Sequence, residues 1–152
     1  MTPSGLREKI IVERAAWIRK MIEGIKALPL DSKESFLSDP RNAASAESYL
    51  RRALEALMDL GRHILAKGFG KAVTEYKEIP RELHREGVLH STDTSLMREL
   101  AGYRNRMVHF YDEVTTDELY NICHDQLNDV ERILAAILKW INSNPELLDR
   151  SL

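Results

Sequence analysis

Apolar residues recur at three- and four-residue steps along nearly the whole chain, and no run alternates apolar with polar residues. This pattern commits the chain to helices, because residues i, i+3 and i+4 share one helix face whereas a half-buried strand needs a period of two. The first segment spans about residues 4 to 28, with Ser4 as a possible N-cap, Leu6, Ile10, Trp17, Met21, Ile25 and Leu28 as its stripe, and Pro29 as its stop. A polar connection over residues 29 to 40 has room for one helical turn near Lys33 to Leu37. The second long helix starts near Arg41 and carries Ala46, Leu50, Ala53, Leu57, Leu60 and Ile64 as one continuous stripe. It runs to about Lys67, where Gly68 offers a left-handed cap.

Residues 68 to 79 read as a mobile connection, followed by a short helix opened by Pro80 and closed by Gly87. Ser91 or Thr92 begins the next helix, whose stripe is Leu96, Leu100, Tyr103, Met107 and Phe110. A capping box, Thr115 to Glu118, opens a last helix that carries Leu119, Ile122, Leu127, Val130, Leu134, Ile137 and Ile141 as far as Asn144 and Pro145. The expected fold is all-α: one domain over residues 1–152, an up-and-down bundle of four main helices with a short extra one.

At 152 residues and 43% hydrophobic content the chain can bury a core without disulfides or a structural metal. A net charge of −2 means that any nucleic-acid contact has to come from a local basic patch. The single Cys123 excludes an intrachain disulfide and a cysteine-based zinc site, and fits a reducing cytoplasm. Met1 to Lys9 is too polar for a signal peptide, and the longest apolar stretch, Ile133 to Leu138, is far shorter than a membrane span. The expectation is a cytoplasmic protein with no membrane contact.

Several chemistries lack their residues. No Glu-x-x-His pair supports a carboxylate-bridged metal bundle, and His84 follows Glu82 by two residues, which diverge on a helix. Gly68-Phe69-Gly70-Lys71 resembles part of a phosphate loop but follows a helix and lacks the remaining glycine and Ser/Thr. His63, His90 and His124 stand alone. Neither a metal nor a cofactor is called for.

The informative stretch is Gly102 to Tyr111. A helix turns about 100° per residue. On a continuous helix Arg104 and Tyr111 therefore share one face, and Asn105 and His109 stack on an adjacent one. This strip of guanidinium, amide, imidazole and phenol suits metal-free phosphodiester cleavage. An imidazole near neutrality can take the proton of a ribose 2′-hydroxyl or protonate a departing oxygen. A guanidinium can bind the scissile phosphate and its extra transition-state charge. Asn105 can orient either. Taken alone, these residues favour a plainer reading, a surface salt-bridge helix closed by a capping histidine.

Arg104-Asn105-Arg106-Met107-Val108-His109 resembles the Arg-x4-His signature of HEPN domains, with the polar residue usual after the arginine. With Tyr111 it becomes Arg-x4-His-x-Tyr, which resembles the HepT branch of that superfamily. Leu54 to Ile64 resembles that family's second helix and Asp117 to Ile122 the opening of its last, so the likeness spans roughly residues 36 to 140. The departure is the aromatic Phe110, where a polar residue is often found.

The resemblance implies a metal-independent RNA-cleaving toxin with Arg104, Asn105 and His109 as its catalytic set. It further implies a homodimer whose two strips face each other across a shared cleft. Helix geometry makes a second copy useful, since residues five apart point about 140° away from each other on a straight helix. The implied partner is a minimal nucleotidyltransferase antitoxin that transfers AMP from ATP onto Tyr111; the plain alternative for Tyr111 is packing at a helix end. Arg106 reads equally as a second phosphate contact for RNA or as a solvated charge. Arg51, Arg52, Arg62 and Lys67 either extend a basic track or form a solvated face interleaved with Glu47 and Glu55. A rival reading is a catalytically silent HEPN domain that only binds RNA or a nucleotidyltransferase.

Overall fold

A computed structural model describes residues 5–109 and 114–150. The described chain is all-α, as its period dictates, with one minimal exception. Leu6–Arg7 (β1) pairs in parallel with Leu148–Asp149 (β2), a two-residue ladder that ties the two ends together. No alternation announces so short a pair. Leu6 is fully buried there, and helix α1 begins only at Glu8 and runs to Lys26. The expected cap Ser4 lies outside the described residues.

The buried residues of α1 are Ile11, Ala15, Ile18, Met21, Ile22 and Ile25. The expected stripe holds in part: Leu6, Met21 and Ile25 are buried, whereas Trp17 is 38% exposed. After the single turn α2 (Lys33–Leu37), capped by Ser32 Oγ accepting from Ser35 N at 3.0 Å, comes the long helix α3 (Pro40–His63). Asp39 caps α3 and Pro40 fills its first position, where a missing N–H costs nothing. Ala46, Leu50, Ala53, Leu57, Leu60 and Ile64 are all fully buried, as their spacing requires. α1 lies along α3, and Gly24 permits that approach: a Cβ there would meet the Tyr49 ring at 2.7 Å.

α3 continues into a π-helical turn, Ile64–Gly68. The left-handed residue that ends the run is Gly70 (φ 66°), two residues beyond the expected cap Gly68. Helix α4 (Glu78–Arg85) comes next, and Gly87 closes it at φ 81°. α5 (Ser91–Val108) packs on α3 and α4, burying Met97, Leu100 and Ala101; Leu96, Tyr103 and Met107 are half-buried beside them.

The last helix is two helices, α6 (Thr116–Asp125) and α7 (Leu127–Asn142). They part at Gln126, whose backbone leaves the helical region (φ −119°, ψ 7°). Its side chain accepts from Tyr103 Oη at 3.0 Å and donates to Glu99 at 3.2 Å, so polar groups of α5 hold the bend. Among the described residues no helix is long and apolar enough to cross a membrane.

Candidate active site

Arg104 sits three-quarters of the way along α5 and points at α3. Its Nε and Nη2 donate to Glu55 Oε2 at 3.1 and 2.8 Å, and its Nη1 donates to Asn105 Oδ1 at 3.3 Å. Both ionic side chains are about three-quarters covered, at 23% and 25% exposure. The other oxygen of Glu55 accepts from Arg51 Nη1 at 3.1 Å. Nε and Nη2 form the lateral fork of a guanidinium, so Glu55 takes that fork and leaves the terminal Nη1/Nη2 edge as the one able to grip a second oxyanion.

Tyr76 completes the setting. The guanidinium carbon of Arg104 lies 4.6 Å from the centre of its ring, and that of Arg62 lies 4.9 Å from it. Its hydroxyl donates to Asp59 Oδ1 at 2.9 Å, the oxygen that also accepts from Arg62 Nη1 at 3.2 Å. Burial, and then the bond to the Asp59 carboxylate, push the Tyr76 phenol above its ordinary pKa, so it stays a neutral donor. The connection carrying Tyr76 is pinned where a mobile one was expected. Arg62 donates to the carbonyls of Val73 (3.0 Å) and Thr74 (2.8 Å).

Of the four basic residues Arg51, Arg52, Arg62 and Lys67, two are paired within the chain: Arg51 with Glu55, and Arg62 with Asp59 and the connection. The phosphate-loop-like stretch is also spent. The amides of Gly70 and Lys71 donate to Ala66 O and Leu65 O, while Lys71 Nζ lies 3.0 Å from Glu82 and 2.6 Å from Glu86.

The motif's far end departs from the regular helix. α5 stops at Val108, and His109 is its cap in extended backbone (φ −105°, ψ 104°). The stacking expected for Asn105 and His109 on one helical face therefore does not hold: Asn105 stays with Arg104, whereas His109 is exposed beyond the helix end. A cleft of about 420 Å³ opens beside His109, lined by Ala43, Glu47, Met107, Val114, Thr116 and Leu119 among the described residues. Tyr111 lies outside the described residues, as does Phe110.

Arg106 lines the same cleft and pairs with α6. Its Nη1 and Nη2 donate to the two oxygens of Glu118 at 2.6 and 2.8 Å, a bidentate pair that holds the Glu118 carboxyl below its ordinary pKa. Thr115 Oγ1 caps α6 by accepting from Glu118 N at 3.1 Å. One arm of the expected capping box is present, and the carboxylate of the other pairs with Arg106. Among the described residues no three His, Cys, Asp or Glu side chains stand together as a metal site.

A family model described as ribonuclease HepT-like matches residues 18–137. The chain belongs to the HepT-like ribonuclease family. Within it, a tRNA nuclease HepT from Aphanizomenon flos-aquae is 27% identical over 115 residues, 74% of this chain and 78% of that protein. Two solved structures share the fold of this HepT-like chain. One is a tri-AMPylated Shewanella oneidensis HEPN toxin in complex with an MNT antitoxin: TM-score 0.77, 22% identity, covering 86% of this chain and 97% of that one. The other is YutE, a cytosolic protein of unknown function from Bacillus subtilis: TM-score 0.76, 15% identity, covering 97% of this chain and 98% of that one.

Glu55 and Tyr76 are the residues that sequence reasoning missed. Glu55 was visible only as a charge interleaved among arginines. Tyr76 had no signal beyond being an aromatic residue in a polar connection.

Proposed function

We propose that this chain is a ribonuclease toxin that cleaves RNA without a metal and is silenced by a nucleotidyltransferase antitoxin. The observation that carries this reading is the family match over the segment in which Arg104 is held by Glu55 and Asn105 while His109 stands exposed at a cleft. A tRNA nuclease among its relatives makes tRNA the first substrate to test.

In the proposed step His109 removes the proton of a ribose 2′-hydroxyl. The 2′-oxygen then attacks the adjacent phosphorus, and the bond to the 5′-oxygen breaks. That oxygen takes up a proton, leaving a 2′,3′-cyclic phosphate and a 5′-hydroxyl. The terminal edge of Arg104 binds the phosphate and the charge it gains in the transition state. Asn105 fixes that edge in place. Arg104 and His109 come from opposite strips of a homodimer, which brings both to one phosphate. The nucleotidyltransferase attaches AMP to Tyr111 with loss of pyrophosphate from ATP. The new phosphodiester pairs with the same arginine and shuts RNA out. The motivating observations for this partner are the AMPylated HEPN toxin and its antitoxin among the fold relatives.

The test is cleavage of unfractionated tRNA by purified protein in EDTA, read from the RNA ends produced. Cyclic phosphate ends from wild type and none from His109→Ala support the reading. RNA bound but never cut supports the silent binding domain instead.

A further inference from the structure

We propose that Tyr76 is a positioning residue for Arg104, built into the α3–α4 connection to aim the phosphate-binding edge. This rests on the reading of Arg104 as the phosphate ligand.

Arg104 is fixed in its own plane by Glu55 and Asn105, both through hydrogen bonds at the guanidinium rim. Rim bonds leave the group able to tilt about the axis along the arm that carries them. A flat aromatic ring against the guanidinium removes that freedom, because cation and π-face attract only when the cation lies over the ring. Tyr76 supplies this ring, with the Arg104 guanidinium carbon 4.6 Å from its centre.

Tyr76 is itself held from three directions. Its hydroxyl is bonded to Asp59, its ring lies by the Arg62 guanidinium at 4.9 Å, and Arg62 grips the backbone at Val73 and Thr74. Asp59 and Arg62 stand one turn apart on α3, so the platform is referenced to the same helix that presents Glu55. A surface loop has no need of this much anchoring for its own sake. Its product is an Arg104 guanidinium held at its rim and on its face, with one N–H of Nη1 and one of Nη2 uncommitted.

The experiment compares wild type, Tyr76→Phe, Tyr76→Leu and Arg104→Ala as full chains on unfractionated tRNA, with kcat, KM and melting temperature measured for each. Tyr76→Phe keeps the ring and is expected to stay within about 3-fold of wild-type kcat, while Tyr76→Leu falls roughly 10-fold in kcat with KM changed less than about 3-fold. A Tyr76→Leu protein that melts earlier yet turns over at the wild-type kcat when folded overturns the proposal, because it marks Tyr76 as packing only. Should Tyr76→Leu fail to fold, the Arg104 Nε–H resonance of the wild-type protein decides. A ring-current shift retained in Tyr76→Phe supports the platform, and an unshifted resonance in wild type overturns it. If Arg104→Ala cleaves as fast as wild type, or wild type does not cleave, the phosphate-binding role of Arg104 has failed, a result distinct from failure of Tyr76 alone.

Discussion

Removing the carboxylate charge at Glu55 probes how Arg104, the proposed phosphate ligand, is held. Glu55 Oε2 accepts two N–H groups of Arg104, at 3.1 and 2.8 Å, and Oε1 accepts one from Arg51 at 3.1 Å. Glutamine has the same shape but one acceptor and one donor, so only one arginine can keep its acceptor. Arg104 offers two donors and is the more enclosed, at 23% exposure against 31% for Arg51. The glutamine carbonyl therefore turns to Arg104, and Arg51 swings into solvent. A hydrogen bond to a charged group is worth about 1.5–3 kcal/mol; with glutamine the guanidinium donor stays charged but the acceptor does not, which moves the bond from the top of that range toward the bottom and weakens the hold on Arg104 by about 1 kcal/mol. Glu55→Ala removes the acceptor and costs about 2–3 kcal/mol. At about 1.4 kcal/mol per tenfold, kcat falls roughly 5-fold in Glu55→Gln and roughly 50-fold in Glu55→Ala if orientation of Arg104 limits the chemical step. The assay is steady-state cleavage of unfractionated tRNA, with thermal melts to fix the folded fraction. A folded Glu55→Ala protein that cleaves at the wild-type rate refutes the orienting role. A rise in kcat refutes it more sharply, since the carboxylate would then be a restraint that competes with phosphate.

Three other perturbations have definite expected outcomes. Gly61→Ala puts a Cβ 2.7 Å from Ile79 Cγ2 and 3.1 Å from Leu83 Cδ1, both buried. The stiff β-branched Ile79 cannot yield cheaply, so overpacking outweighs the roughly 1 kcal/mol of helix propensity gained and the melting temperature drops by roughly 3–6 °C; a rise contradicts the packing. Glu118 has its carboxyl pKa lowered by Arg106, so its stabilisation is complete above the ordinary glutamate range and is lost as pH falls through the depressed folded-state value. Urea midpoints of wild type and Glu118→Gln should accordingly differ at pH 7 and converge in acid, whereas a constant gap argues that the pair contributes through packing. Tyr111→Phe should retain ribonuclease activity yet gain no AMP mass when incubated with the cognate nucleotidyltransferase and ATP, and an equal mass gain in the variant places the modification elsewhere.

How far the fold was legible depended on how cleanly each helix kept its period. α3 was readable because Ala46 through Ile64 recur at three- and four-residue steps over about five turns, and all six positions are fully buried, with Leu54, Ala56 and Met58 widening the same buried side. α1 was readable as a helix but only partly in phase, since adjacent apolar pairs such as Ile10-Ile11 and Ala15-Ala16 support two faces; Met21 and Ile25 are buried as expected, but the large Trp17 is exposed and the buried neighbours are Ile11, Ala15, Ile18 and Ile22. The break between α6 and α7 did leave a mark: the stripe steps five residues from Ile122 to Leu127, more than one helical turn. The β1–β2 pair left none, because two residues cannot alternate.

At the site, the arginine and histidine of the motif were visible because they lie close in sequence. The grip on Arg104 was not, because Glu55 is 49 residues away and its partner choice depends on how α3 crosses α5. The departure of His109 from the helix was equally hidden. Val108 and His109 are only mildly unfavourable in a helix and neither is a Gly or Pro stop signal, so no sharp signal in the sequence marks the helix end.

Arg104 and His109 are proposed to cut RNA together, with no metal. The direct measurement is the time course of unfractionated tRNA cleavage in excess EDTA by wild type, Arg104→Ala, His109→Ala and an equimolar mixture of the two variants. Wild type is expected to cleave and neither variant alone to do so. Partial recovery is expected in the mixture, because a heterodimer restores one site with Arg104 from one copy and His109 from the other. Cleavage that stops in EDTA and returns with magnesium, or full activity in His109→Ala, contradicts it.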